Sequence, residues 1–406
     1  MNRSTRAAAA SACLVLAIAA CTPSNPAPND SSPSATTPPP AASPTETTSP
    51  DPSPSESEQP SATPNPPGRK ASNVPMEKLK PGEKAPQFII VSFDGAGSHA
   101  KWQEFMAVAK KTDARFVGFV TGTYFIDDQH KTAYQGPGHK AGKSSVGFGG
   151  DSHRIATLVN DLNEAYAAGH EIGTHYNGHF CAGAGPSGND WSTADWKNEI
   201  GQFKKFLTEH KAINGYDDSF PELKVPVEHI KGGRTPCLEG KLEAMIPAWK
   251  DAGFTYDTSM VLSNGLSWPE KIDGIWEFQM PVVNSPAFDK PGYKSPTVMA
   301  MDYNFWIKFN GGKDDKSKTA EMTRAARQTY DYMYEQAFGG NRAPLVIGNH
   351  FNNWSGNAFN PAVASFMADT CGKEETYCTT YQDVIAWMEL QDPEVLKALL
   401  AQPAHP

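Results

Sequence analysis

The sequence predicts an α/β fold in which parallel strands alternate with outer helices. Three observations carry this. The 338 residues that follow a compositionally distinct opening of 68 hold all nine tryptophans of the 406-residue chain. Within them, short apolar runs recur between segments whose apolar residues keep helical spacing. A stretch of this length suits one α/β barrel with insertions better than two domains.

Taken in order, MNRSTR and the 14-residue apolar run AAAASACLVLAIAA, with small residues before Cys21, match an export signal too short to span a membrane permanently. Ile18-Ala19-Ala20-Cys21 resembles the lipobox of bacterial lipoproteins. Lipidation at Cys21 is therefore expected, with the protein anchored to the membrane outside the cytoplasm and facing the cell wall. From Thr22 to Gly68 there are 15 Pro, 10 Ser and 7 Thr in 47 residues, with five acids and no Lys or Arg. Such a segment cannot bury enough apolar surface to fold. The expected organisation is a signal peptide at 1–20, a disordered linker at 21–84, a barrel at 85–392 and a C-terminal tail at 393–406.

In the folded part, Phe88 to Phe93 reads as a buried strand, Trp102 to Lys111 as a helix and Phe116 to Val120 as the next strand. Ile155, Leu158, Val159, Leu162 and Tyr166 keep helical spacing up to Gly169, and His170 to Thr174 follows as a brief strand. A capping-box-like Ser192-Thr193-Ala194-Asp195 opens a helix that runs to Glu209. Leu238 to Ala252 and Lys316 to Ala337 read as helices; Phe254 to Tyr256, Trp276 to Val283 and Leu345 to Gly348 read as strands. The insertions at 128–150 and 281–296 either wall a groove or are surface loops.

Setting aside Arg3, Arg6 and the five linker acids changes the net charge of −9 to −6, so no basic field points to nucleic acid. Parallel strands present their chemistry at their C-terminal ends. Asp94, His175, Asp257 and His350 all fall at such ends. His175 and His179, four apart, are close enough in sequence to share a metal ion. Cys181, Cys237, Cys371 and Cys378 are an even set with three full pairings, of which Cys371 with Cys378 is the local one. Among the aromatic residues, Trp354 lies in a polar loop four residues from His350 and is the first candidate to offer a ring face to a ligand, followed by Tyr303 and Trp306.

The run Gly169-His170-Glu171-Ile172-Gly173-Thr174-His175-Tyr176-Asn177-Gly178-His179 resembles the second motif of NodB-type polysaccharide deacetylases. Ser92-Phe93-Asp94-Gly95, Thr123-Tyr124-Phe125, Arg234-Thr235-Pro236-Cys237, Gly253 to Ser259 and Asn349-His350-Phe351 resemble further family motifs, in the family's order. The resemblance implies a distorted barrel of about seven strand–helix units and a metal-dependent hydrolase that removes N- or O-acetyl groups from a cell-wall or extracellular polysaccharide. It implies a divalent cation, zinc by preference, on His175 and His179. Asp94 would be the general base, paired with Arg234. His350 would be the general acid, oriented by Asp257, and the Cys237 N–H would be an oxyanion donor.

The departures are specific. Gly95 stands where the family has a metal-binding Asp, so Asp94 itself, Asp127, Asp128 or His99 would have to complete the shell. The alternative is a catalytically inactive relative that binds glycan. A transporter's substrate-binding lipoprotein would have two lobes and would leave the histidine pair without a role. Cys181 pairs with Cys237, pinning two of these loops together, or with Cys371 or Cys378. A monomer is expected.

Overall fold

The computed structural model describes residues 68–183 and 185–405; the expected signal peptide, the lipidation site Cys21 and most of the linker lie outside the described residues. The strands are β1 (Gln87–Asp94), β2 (Val117–Val120), β3 (Glu171–Thr174), β4 (Tyr256–Asp257), β5 (Val261–Leu262), β6 (Glu270–Ile272), β7 (Ile275–Glu277), β8 (Met280–Asn284), β9 (Thr297–Met299), β10 (Leu345–His350) and β11 (Thr376–Cys378). The helices are α1 (His99–Thr112), α2 (Ser152–Ala167), α3 (Thr193–Asn214), α4 (Leu242–Ala252), α5 (Asp302–Asn310), α6 (Thr319–Gly339), α7 (Trp354–Asn357), α8 (Asn360–Thr370), α9 (Tyr381–Leu390) and α10 (Pro393–Leu400).

β1 is buried along its whole length, as a near-continuous apolar run must be when both faces of a parallel sheet are covered. It pairs in parallel with β10 on one side. On the other side its first half pairs with β11 and its second half with β2. β2 continues to β3. The circuit then passes through the Gly232–Gly233 segment and the short β4 and β7. The Thr174 N–H donates to the Gly232 carbonyl (3.0 Å), the Thr258 N–H to Gly233 (3.1 Å) and the Trp276 N–H to Thr255 (2.9 Å). Ala300 closes the ring, donating to Pro281 (2.9 Å) and accepting from the Gly348 N–H (2.9 Å). The result is a distorted α/β barrel with its helices outside, the expected fold class.

The α3 N-terminus is set by a reciprocal cap. Ser192 Oγ accepts the Asp195 N–H, and the Asp195 carboxylate accepts the Ser192 N–H. The helix ends at Gly215 in the left-handed conformation (φ 68°). Between β4 and β7 the alternation of strand and helix breaks, and β5 and β6 fill the connection. Two further boundaries differ. Residues from 69 onward, assigned to the linker up to 84, pack on the barrel: the Lys70 N–H donates to Ala167, Asn73 Nδ2 to the Cys378 carbonyl, and Val74 is buried. The tail carries α10, and His405 exchanges two backbone hydrogen bonds with Leu266 (2.7 and 2.8 Å). Among the described residues no helix is long and apolar enough to cross a membrane.

Candidate active site

The ends of β1, β3 and β10 bring their ionisable residues together because the three strands run parallel and are linked through β1 and β2. Asp94 is the last residue of β1 and faces His350 in the β1–β10 register. Arg234 follows the segment that hydrogen-bonds β3, and its guanidinium reaches Asp94 Oδ1 at 2.8 Å with both groups buried. Ser92 Oγ (3.0 Å), the Thr258 carbonyl (3.0 Å), Thr258 Oγ1 (3.1 Å) and the Tyr381 hydroxyl (3.2 Å) accept its remaining N–H groups, and it lies over the Phe119 ring. A buried guanidinium needs this saturation, since each unpaired N–H would carry its full desolvation cost. Burial pushes the Asp94 carboxyl up, but the charge and hydrogen bond of Arg234, with the charge of His350, outweigh it and hold the group below the ordinary carboxylate value.

His175 donates its Nδ1–H to the Arg234 carbonyl at 2.9 Å, which leaves Nε2 as the lone-pair nitrogen. That Nε2 is buried and has no hydrogen-bond partner among the described residues. Burial holds the His175 pKa down at about 3 and that of His179 at about 4, so both imidazoles are neutral near pH 7. Their ring centres are 5.2 Å apart. Two imidazoles sharing one tetrahedral ion at Zn–N distances of about 2 Å have centres about 5 Å apart, so the pair fits a divalent cation.

At Gly95 (φ 61°) a Cβ would meet only Tyr124 Oη at 3.7 Å and Thr121 Oγ1 at 3.9 Å, so this chain leaves the carboxylate position open. Two of the replacements weighed for the missing ligand are engaged elsewhere. Asp127 accepts from His130 (2.8 Å) and Tyr216 (3.1 Å), and His99 pairs with Asp161 (2.8 Å). A His179, Cys181 and Cys237 cluster also has ligand-type atoms within 4.8 Å of one another, but both sulfurs are spent in a disulfide.

The general-acid candidate requires a correction. The carboxylate that orients His350 is Asp302, not Asp257. Asp302, at the start of α5, accepts from His350 Nδ1 (2.7 Å), the His350 N–H (2.8 Å) and Asn352 Nδ2 (2.8 Å). Burial lowers the His350 pKa, but Asp302 and Asp94 overcome it and raise the value above that of an ordinary histidine. Asp257 instead accepts from the Ser259 N–H (2.7 Å) and hydroxyl (3.0 Å), and Ser259 Oγ accepts the Thr235 N–H at 2.8 Å. It thus supports the turn after Arg234 rather than His350. It also faces Glu277 across the β4–β7 ladder. Burial raises the Asp257 pKa to about 6, and burial with the Asp257 charge holds Glu277 well above the ordinary carboxylate value.

Cys237 (φ 58°) bonds to Cys181, tying the turn after Arg234 to the loop of His179, and Cys371 bonds to Cys378. These bridges use all four cysteines of the described residues. Trp354 stands beside His350, ring centres 5.3 Å apart. It stacks on Trp306 at 4.8 Å and meets Tyr303 at 5.7 Å, so the three aromatic candidates form one half-buried wall beside His350. Asp302 escaped sequence reasoning although Tyr303 and Trp306 beside it did not. An acid at a helix start, just before two candidate sugar-stacking rings, is the signal that could have found it.

No family model matches this sequence, and no curated protein matches it. The fold is similar to solved polysaccharide deacetylases. A Mycobacterium smegmatis protein described as a polysaccharide deacetylase shares 16% identity over 82% of this chain and 98% of its own, with a TM-score of 0.44. The chitin deacetylase of Colletotrichum lindemuthianum shares 12% over 72% and 84%, with a TM-score of 0.38. A pseudoenzyme of carbohydrate esterase family 4 from Bacillus anthracis shares 6% over 80% and 70%, with a TM-score of 0.34.

Proposed function

We propose that this protein is a metal-dependent deacetylase that hydrolyses N- or O-acetyl groups on an extracellular or cell-wall polysaccharide. The observation that carries the reading is the buried Nε2 of His175, without a partner among the described residues, beside the Asp94–Arg234 pair and the His350–Asp302 pair. His175 and His179 would hold a divalent cation, zinc by their neutral nitrogen donors. When bound, that ion supplies Lewis acidity toward the acetyl carbonyl.

The chain's own residues do the rest. Asp94, kept ionised by Arg234, takes the proton of the attacking water. The backbone N–H of Cys237 donates to the oxyanion. His350, held protonated by Asp302, gives its proton to the departing amine or alcohol. Trp354, Trp306 and Tyr303 offer ring faces to the sugar. Outside the described residues, a lipid at Cys21 and a Pro-rich tether of about 47 residues, extending on the order of 100 Å, would place a monomeric domain in the wall meshwork.

Gly95 favours one other reading, an inactive glycan-binding relative. Zinc content and acetate release from acetylated chito- and xylo-oligosaccharides separate the two. Release that is lost in His175→Ala and Asp94→Asn establishes the enzyme; glycan binding without zinc or acetate release establishes the binder.

A further inference from the structure

The two proposed ligands sit at the ends of a five-residue turn that is strained and yet closely held. Tyr176 (φ 55°) and His179 (φ 53°) are both non-glycine residues in the left-handed region. Between them, the N–H groups of Asn177 and Gly178 point at one acceptor, Oε1 of Glu199, at 3.1 and 3.4 Å. Glu199 lies in α3 and is fully buried. Its backbone carbonyl also accepts Asn177 Nδ2 at 2.8 Å. The carboxylate is fixed in turn by Tyr134, whose hydroxyl lies 3.1 Å from each oxygen. Tyr134 comes from the insertion at 128–150. A Cβ on Gly178 would collide with the Tyr134 hydroxyl and the Phe180 ring, so the turn, the insertion and the helix close on one another.

From this we infer that Glu199, locked by Tyr134, is the positioning residue of the metal site. A carboxylate two helical turns into α3 holds the backbone between His175 and His179, so that their imidazoles converge before any ion arrives. The insertion is then part of the site's framework rather than an idle surface loop. A buried carboxylate with backbone N–H donors on one oxygen and a phenol on both suits this task, because it defines direction as well as distance. The inference rests on the metal reading above.

Zinc titration of the whole purified chain tests it, with metal-free thermal unfolding run alongside. Glu199→Ala should raise the zinc Kd by about 10–100-fold, the range for residues that orient ligands. Glu199→Gln keeps a carbonyl acceptor and should recover most of that loss, whereas Glu199→Leu fills the volume without an acceptor and should not. If the Ala variant does not fold, Tyr134→Phe, which removes one hydroxyl, should still weaken zinc binding several-fold. Variants that bind zinc as tightly as the parent while melting earlier, or a Leu variant that rescues as well as Gln, would overturn the inference alone. A parent protein that takes up no zinc would overturn it together with the metal reading.

Discussion

Asp302 receives both the ring N–H and the backbone N–H of His350, at 2.7 and 2.8 Å, so one carboxylate fixes the imidazole's direction and its charge. The His350 pKa is raised by that charge. A proton donor must keep its proton, so with His350 as the proposed donor the alkaline limb of the pH–rate profile should lie above the ordinary histidine value. Asp302→Asn removes the charge and should move this limb to lower pH, with kcat falling more than KM rises. The kcat/KM profile of the two proteins reads this directly; coincident limbs would remove His350 as the donor.

In the proposed reaction Arg234 and Asp94 would set the opposite limb. Arg234→Met leaves a carboxylate buried with no cation at 2.8 Å, and losing one member of a buried pair costs about 3–5 kcal/mol. The Asp94 pKa, now depressed, should rise. With the cation gone, burial should raise the Asp94 pKa above its unfolded value, a penalty present at neutral pH and relieved as pH falls and the group protonates, so the variant should lose stability chiefly at neutral pH. Its acid limb of activity should move to higher pH. Arg234→Lys should not rescue it, since one ammonium cannot reach Ser92, Thr258, Tyr381 and Asp94 together. Urea unfolding at pH 7 and pH 4 checks the first claim.

These two pairs show what could be read in the sequence. Asp94, His175 and His350 were legible because each ends a run of buried β residues, and parallel strands carry their ends to one face of the barrel. Asp257 satisfies the same rule and ends β4, but its oxygens are occupied by Ser259. Strand-end position says which face a residue is on, not what its side chain touches. Asp302 lies 48 residues before His350 and reaches it only because the β8–β9 excursion returns the chain to β10. No local spacing encodes that return. The Cys181–Cys237 bridge was an open alternative for the same reason, as its ends are 56 residues apart.

That bridge gives a graded stability test. In the chain-entropy account a cross-link stabilises more when it closes a longer loop. The separation is 56 residues for Cys181–Cys237 and 7 for Cys371–Cys378. The corresponding losses are about 4 and about 2.5 kcal/mol by that account. The Cys181→Ser/Cys237→Ser protein should therefore unfold at lower denaturant than Cys371→Ala/Cys378→Ala. It should also bind zinc more weakly, since only the first bridge touches the His179 loop. Equal midpoints and equal zinc affinity would place both bridges outside the site.

Gly95 offers a gain-of-function test. Its φ of 61° is a conformation Asp tolerates at a cost of about 1 kcal/mol, and a Cβ there meets nothing closer than 3.7 Å. A third protein ligand beside two imidazoles is the ordinary complement of a catalytic zinc site. Gly95→Asp should thus lower the zinc Kd, on the order of tenfold or more, and raise acetate release at limiting zinc. Calorimetric titration with zinc decides it, and an unchanged Kd would mean that position 95 does not face the ion.

The aromatic wall makes a prediction about substrate rather than chemistry. Trp354 and Trp306 lie nearly parallel, 12° apart with ring centres at 4.8 Å, so removing either leaves the other without its stacking partner. An aromatic stacking contact is worth about 0.5–1.5 kcal/mol beyond area burial. Trp354→Ala should therefore raise KM for oligosaccharides by roughly 3–10-fold. Because Trp354 also lies 5.3 Å from the His350 ring, its loss could alter the donor as well. Trp306→Ala serves as the control, since its indole N–H donates to the Lys313 carbonyl, away from His350. If the wall binds sugar, both variants raise KM, and Trp306→Ala leaves kcat and the alkaline limb unchanged. A kcat loss in Trp354→Ala with no change in either KM would instead assign Trp354 to holding His350 in place.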